Sequence, residues 1–244
     1  MSIATEIQRL QEAKADIKAA IEEKGVEVGD GLIDGYADKI DDVHEKGKQA
    51  GIEDFWDKYQ DNGNRTDYGY AFAGDGWTDE MYNPKYPIVI NPPSVTNRLT
   101  SLFQNSRVTA TKQPIIIQTS ATNNTPFYAC QSLVEITELR LDTDMGTVSG
   151  SFNGCTKLKT IKITGSGKFL GTVTFKNSQN LTKESIISII DALSPDVTGQ
   201  TLTLPKVAVN REFGINVDDV STWGEGSDYR KLVDTKPNWT ITHG

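Results

Sequence analysis

Apolar residues near the N-terminus recur at alternating spacings of four and three positions. The positions are Ile3, Ile7, Leu10, Lys14, Ile17 and Ile21, of which only Lys14 is polar. This pattern predicts a helix whose apolar strip, about three heptads long, pairs with other helices in a coiled coil. Isoleucine at both core positions of the heptad favours a parallel trimer or a higher oligomer, and a core lysine fixes the register at some cost in stability. The alternative interpretation is an amphipathic helix that packs on its own domain.

A second helix is predicted from Leu32 to about Gln49, after a short glycine-rich loop that begins at Gly25. Its apolar face is formed by Ile33, Tyr36, Ala37, Ile40 and Val43, which recur at helical spacing. Residues 1–50 are therefore interpreted as a helical segment for oligomerisation and attachment.

Aromatic residues are dense between Phe55 and Ile88, where turn signals such as Asn62-Gly63 and Gly74-Asp75-Gly76 interrupt the chain. Large rings among turns predict a loop-rich connector that is packed by its own aromatic side chains. We assign this connector to residues 51–98. A cluster of exposed rings that binds sugar is the alternative interpretation.

The rest of the chain repeats itself. A phenylalanine is followed three residues later by a small or thiol-bearing residue in four pairs: Phe103 with Ser106, Phe127 with Cys130, Phe152 with Cys155, and Phe175 with Ser178. The phenylalanines are 24, 25 and 23 residues apart. A period in the twenties predicts a leucine-rich-repeat solenoid, in which each repeat buries its apolar face only by stacking on its neighbours.

The repeat also predicts which side chains fill the core. They are Phe127, Cys130, Leu133, Leu139, Leu141, Phe152, Cys155, Leu158, Ile161, Ile163, Phe175 and Leu181. Short strands are predicted at 115–117, 139–141, 161–163 and 202–204. Cys130 and Cys155 occupy equivalent positions, so we interpret them as small buried residues; a disulfide between adjacent coils is the alternative.

The pattern becomes irregular towards the C-terminus. A helix is predicted within Leu181–Pro195, followed by a strand in TLTLP and by a short helix with a closing strand near Trp239 to Thr242. Such a terminal coil is expected to cap the solenoid. The predicted fold is α+β, with an N-terminal helical coiled-coil stalk, an aromatic connector and an irregular leucine-rich-repeat solenoid over residues 99–244.

Charge and composition narrow the function. The formal net charge of −8 argues against nucleic acid as the main partner, because phosphate binding needs a basic surface. The sequence has no apolar run long enough to predict a membrane-spanning helix. The N-terminal residues lack the basic and apolar regions of a secretory signal, so we expect synthesis in a cytoplasm.

No catalytic or metal-binding pattern is evident. The two histidines, His44 and His243, and the two cysteines match no zinc spacing. The glycine-rich stretch GSGKFLG lacks the spacing of a phosphate-binding loop. Aspartates in DTDMG at 142–146 are interpreted as a solvated turn, since the other ligands of a calcium loop are missing. We therefore expect no enzyme activity, no cofactor and no metal.

The unit F-x-x-C-x-x-L-x-x-I-x-I, which starts at Phe152, resembles the BspA-like leucine-rich repeat. The stretch FKNSQNLTKESIISIIDAL, with the later TLTL, is similar to the irregular repeat found in bacteriophage-encoded versions. The N-terminal LQEAKADIKAAIEEKGVEVGDGLIDGYADKI and the connector FWDKYQDNGNRTDYGYAFAGDGWTDEMYNPKY resemble segments of phage structural proteins.

These resemblances imply a virion protein that is assembled in the host cytoplasm, a tail fibre or baseplate component that touches the host surface. The N-terminal helices would form a homotrimer and bind other virion proteins. Exposed strand residues, such as Arg140 and Lys162, would bind host polysaccharide or protein.

Three alternatives are weighed against host recognition. The nearest is a head fibre, decoration or connector protein with no receptor role. A polysaccharide depolymerase is disfavoured because no catalytic group of residues is recognisable. A bacterial surface adhesin is disfavoured because neither a signal nor a wall anchor is seen.

Overall fold

The computed structural model divides the chain into two compact units, Met1–Asp61 and Asn62–Gly244. It describes residues 3–28, 39–48, 50, 72–84, 87–90, 99–118, 124–146, 150–224 and 226–244. The first part of the predicted second helix, with Ile33, Tyr36 and Ala37, lies outside the described residues. The first half of the aromatic connector also lies outside them.

Within its described residues, the first unit contains two helices, α1 (Ile3–Glu23) and α2 (residues 39–48). Gly25 follows α1 with a φ of +76°, a left-handed conformation that glycine adopts without a steric penalty. Ile21, Val26 and Val28 are buried together, and Val43 of α2 packs against them. This small cluster holds the end of α1 against α2.

The second unit is a solenoid of parallel strands, in which one coil of the chain forms one rung. Its strands are β1 (Ile88–Ile90), β2 (Leu99–Thr100), β3 (Ile115–Ile117), β4 (Asn124–Thr125), β5 (Glu135–Leu141), β6 (Thr160–Thr164), β7 (Val173–Thr174), β8 (Gln200–Leu204) and β9 (Trp239–His243). They form three parallel sheets with the orders β1-β3-β5-β6, β2-β4 and β7-β8-β9.

Stacked phenylalanine rings fill the centre of the solenoid. The ring centroids of Phe103 and Phe127 are 6.3 Å apart, those of Phe127 and Phe152 are 5.4 Å apart, and those of Phe152 and Phe175 are 4.2 Å apart. All four side chains are buried. Each rung thus places its ring on the ring of the next, and the aromatic surface leaves water only when the rungs stack.

The other predicted core residues surround this stack. Cys130, Leu133, Leu139, Leu141, Cys155, Leu158, Ile161 and Leu181 are buried. Ile163 is half-buried, where α3 (Lys183–Asp191) packs beside β6. Both cysteines carry free thiols.

Aromatic residues of the connector close the N-terminal end of the solenoid. The ring of Phe72 stacks on Phe103 at 5.2 Å, and Tyr82 meets both rings edge-on. Trp77 packs edge-on against Phe72 at 5.2 Å. The described part of the connector therefore belongs to the solenoid core, and the first strand of the main sheet begins at Ile88.

The C-terminal half of this unit adds helices. α3 begins after Thr182, whose side chain accepts a hydrogen bond from the Ser185 N–H. It is followed by α4 (Lys206–Phe213), a 3₁₀ turn (Val220–Trp223) and α5 (Asp228–Asp234). None of the helices in the described ranges combines the length and the apolar character needed to cross a bilayer.

Candidate recognition surface

The outward side of the β1-β3-β5-β6 sheet, here called the sheet face, is the surface that the sequence predicted for recognition. One row of residues crosses all four strands in register: Val89, Ile116, Arg140 and Thr164. Val89 is 41% exposed and Arg140 is also exposed, whereas the inward neighbours Ile115 and Leu139 are fully buried. The row therefore changes from apolar on the first two strands to polar on the last two.

A β-bulge changes the register between β5 and β6. Ile136 pairs with Ile161, but the next pair is Leu139 with Ile163, so two residues of β5 lie opposite the single residue Lys162. As a result Arg140 pairs with Thr164 and not with Lys162. The two predicted recognition cations are both exposed, but they lie in different rows of the sheet face.

Arg140 forms a hydrogen bond with Asp142, just beyond the end of its own strand. Its Nε donates a hydrogen bond to Oδ1 of Asp142 at 2.6 Å, and Nε2 of Gln118 donates to Oδ2 of the same carboxylate at 3.1 Å. The hydrogen bond from Gln118 and then that from Arg140 hold the pKa of Asp142 below its usual range. Because these groups are exposed, the network orients Arg140 but adds little stability.

Glu138, in the bulge, contributes a negative charge to the sheet face. Oγ1 of Thr164 donates a hydrogen bond to its Oε1 at 2.5 Å. The polar half of the face therefore carries two cations, Arg140 and Lys162, beside this carboxylate. Such a mixed surface suits a partner that offers both hydrogen-bond donors and acceptors, and it disfavours a polyanion.

Helix α3 closes the open edge of the sheet next to β6. The backbone N–H of Ile161 donates to Oγ of Ser185 at 3.0 Å, and the N–H of Ile163 donates to Oγ of Ser188 at 2.7 Å. The same hydroxyls donate in turn to the carbonyls of Lys159 and Ile163. Two serines one turn apart thus take the place of a fifth strand, and the sheet face ends at β6.

Three of the residues predicted for oligomerisation form an exposed apolar strip on α1, and the side chain of Ile3 lies outside the described residues. Ile7, Leu10 and Ile17 are 52%, 56% and 39% exposed, and Lys14 is half-buried. Ile21, at the end of the strip, is buried in the cluster with Val43. The helix therefore packs within its own unit at one end and presents apolar side chains along the rest.

The two histidines belong to different units of the chain. Among the described residues, no three His, Cys, Asp or Glu side chains are close enough to hold a metal ion. His44 is exposed on α2. Nε2 of His243 lies 2.5 Å from the hydroxyl of Tyr229, and burial holds the pKa of His243 below its usual value while raising that of Tyr229.

Comparison with known proteins identifies the repeats. Residues 85–182 and 126–197 match the BspA type leucine rich repeat region, in six copies. No curated protein and no solved structure gives a significant match to the chain. The match confirms the predicted repeat type and begins at residue 85, within the segment that the sequence assigned to the connector.

Proposed function

We propose that these BspA-type repeats belong to a structural protein of a bacteriophage virion, a tail fibre or baseplate component that presents the sheet face to the host cell. The observation that carries this proposal is the sheet face itself. Four parallel strands hold exposed side chains at regular spacings, on a core that stacked phenylalanines fill. Repeat solenoids commonly bind extended partners through such surfaces.

The exposed strip of α1 supports attachment through self-association. Leu10 and Ile7 each expose about half of their surface. Pairing of α1 with the same helix of other copies would bury this apolar surface. A trimer would bring three sheet faces to one particle position. Several weak contacts would then add to a firm attachment without any single tight site.

The runner-up function is a head fibre, decoration or connector protein that binds only other virion proteins. The apolar half of the sheet face favours it, because the neighbouring side chains of Val89 and Ile116 resemble the centre of a protein–protein interface more than a sugar-binding surface.

Two measurements test the proposal. Mass spectrometry of purified virions should detect the protein at a copy number comparable with that of other structural proteins; its absence from virions would overturn the viral assignment. Purified full-length protein, added to host cells before the virions, should then reduce adsorption. Unreduced adsorption by a protein that is present in virions would favour the connector function.

Reversal of the two positive charges on the sheet face tests whether this surface binds the host. The double variant Arg140→Glu and Lys162→Glu should compete for adsorption at least tenfold less well than the natural protein. Lys231→Glu, on α5 and away from the sheet face, is the control that changes a charge elsewhere and should compete normally.

A further inference from the structure

A polar groove of about 570 Å³ lies beside the first two rungs, apart from the sheet face. Six polar side chains line it: Asp75, Asn105, Ser106, Arg107, Gln131 and Ser132. They come from three stretches of chain, the connector and the turns that follow Phe103 and Phe127. A groove of this volume is in the range of small-molecule sites.

Backbone hydrogen bonds build the walls of the groove. The N–H of Gly74 donates to the carbonyl of Gln104 at 2.8 Å, and the N–H of Arg107 donates to the carbonyl of Trp77 at 2.8 Å. The N–H of Asn105 donates to Ala129 of the next rung at 3.2 Å. The connector and the two turns are thus fixed to each other by main-chain atoms, which leaves the side chains available.

In the part of the chain that the structure describes, the groove side chains remain available for a ligand. Within the part of the chain that the structure describes, none of the six forms a side-chain hydrogen bond or an ion pair. Ser106 is only 3% exposed, yet its hydroxyl also lacks such a bond and borders the groove. At the equivalent position Ser178 donates to the carbonyl of Cys155. The groove therefore collects hydrogen-bonding groups that a bound molecule can satisfy.

The chemistry of the lining selects the kind of ligand. Asp75 and Arg107 balance each other in charge, so the groove favours a neutral molecule. The carboxylate, the guanidinium and the amides of Asn105 and Gln131 each present two polar atoms in one plane, which match adjacent hydroxyl groups. We propose that the groove binds a neutral saccharide. This inference rests on the proposed function, since it gives the host-binding protein a second site and names its ligand.

Two further features describe the surroundings of the groove. Gly74 has a φ of +94°, and no atom lies within 4 Å of the place where a Cβ would stand, so the wall is open at that point. The neighbouring rings of Phe72 and Tyr82 are fully buried. The sugar site near the connector is therefore made of polar side chains, and the rings that suggested one in the sequence serve to pack the core.

Binding to a panel of neutral oligosaccharides tests the inference. The panel contains glucose, galactose, mannose, rhamnose and N-acetylhexosamine chains, with uronate and phosphate-bearing glycans and an unstructured peptide library as separate arms. We expect full-length protein to bind at least one neutral chain. The Gln131→Ala and Asp75→Ala variants should each weaken that binding by about tenfold, the effect of losing one or two well-placed hydrogen bonds.

Thr156→Ala is the matched control. Thr156 follows Cys155 as Gln131 follows Cys130, and it does not line the groove. It should leave the affinity unchanged, and the melting temperatures of all variants should remain close to that of the natural protein, because the changed side chains form no internal hydrogen bonds.

The outcomes separate this inference from the proposed function. Adsorption blocked by the natural protein and equally by both groove variants, with no neutral chain bound, would overturn the groove and leave the proposed function standing. If the natural protein failed to block adsorption but bound a neutral chain, and the groove variants lost that binding, the groove would stand and the proposed function would be overturned. Binding of only anionic glycans or peptides would also overturn the saccharide assignment.

Discussion

The thiol of Cys155 donates a hydrogen bond to the backbone carbonyl of Phe127, on the neighbouring rung, at 3.0 Å. On the next rung, the hydroxyl of Ser178 also donates to a carbonyl of the rung before it, that of Cys155, at 2.9 Å. The positions three residues after Phe152 and Phe175 therefore each hold a small donor that joins one rung to its neighbour. Serine and cysteine both supply it.

Replacement of Cys155 tests this role. We expect Cys155→Ser to change the free energy of unfolding by less than about 1 kcal/mol, because the donor is kept. Cys155→Val should lower it by roughly 2–3 kcal/mol, because the buried Phe127 carbonyl loses its donor and the larger side chain crowds the rung. Urea unfolding followed by circular dichroism measures both. Equal losses would show that packing alone decides the position.

The terminal rung should weaken in acid. Burial, assisted by Lys206, holds the pKa of His243 below its usual value, although Asp218 opposes the shift. In the unfolded chain this histidine takes up a proton near pH 6.5. Its contribution to stability is therefore complete above that pH and is lost as the pH falls through the lower folded-state pKa.

A pH comparison with a variant that lacks only this histidine isolates the effect. The unfolding free energy of the natural protein should fall more between pH 7.5 and pH 5 than that of His243→Gln, which keeps a polar group near the Tyr229 hydroxyl. Acidic groups elsewhere contribute equally to both proteins, so only the difference between the two slopes is attributed to His243. Identical slopes would contradict the prediction.

A glycine should be preferred at Ala129. Its φ is +54°, a left-handed conformation that costs alanine roughly 1–2 kcal/mol, and the corresponding residue on the next rung is Gly154, with a φ of +89°. We expect Ala129→Gly to raise the free energy of unfolding by about 0.5 kcal/mol, since part of the relief is offset by the greater freedom of glycine in the unfolded chain. Thermal unfolding measures the gain.

The reverse change on the next rung is the control. A Cβ at Gly154 would stand 3.0 Å from Cα of Ala129, so Gly154→Ala should destabilise the protein by about 2 kcal/mol or more. A stabilised Gly154→Ala variant would show that the turn tolerates a side chain there.

The exposed strip of α1 predicts an oligomer. Light scattering of the natural protein should give the mass of a trimer, and the double variant Leu10→Lys and Ile17→Lys should give the monomer mass, because buried lysines are costly in a coiled-coil core. Gln11→Lys adds a lysine at the position next to Leu10 and should leave the trimer intact. A monomeric natural protein would contradict the coiled coil.

Much of the solenoid is evident from the sequence because its period is regular. The phenylalanine spacing predicts the ring stack, and the isoleucine and leucine triplets predict strands at 115–117, 139–141 and 161–163 that the structure contains. The match to BspA type repeats supports the same interpretation. A repeated sequence pattern predicts the structure in this way because equivalent positions of successive rungs are buried against each other.

The features that the sequence does not show are those that occur once. Helix α4 buries only Ala208 and Val209, too few apolar residues to produce a helical period. The bulge opposite Lys162 changes the register without any glycine or proline to mark it. Phe72 and Tyr82 extend the stack of rings, but they lie in a segment with no repeat spacing. Their packing on Phe103 is therefore seen only in the three-dimensional structure.

The groove was missed for a similar reason. Asp75 is 56 positions before Gln131 in the chain, and no motif joins them. A site assembled from three distant turns becomes visible only when the rungs are stacked.

Because the hydroxyls of Ser185 and Ser188 close the sheet at β6, the sheet face has a fixed end on that side. Insertion of whole repeats between Ile88 and Leu139, where the strands pair in regular register, would lengthen that surface. The length of the sheet face would therefore change in steps of one whole repeat.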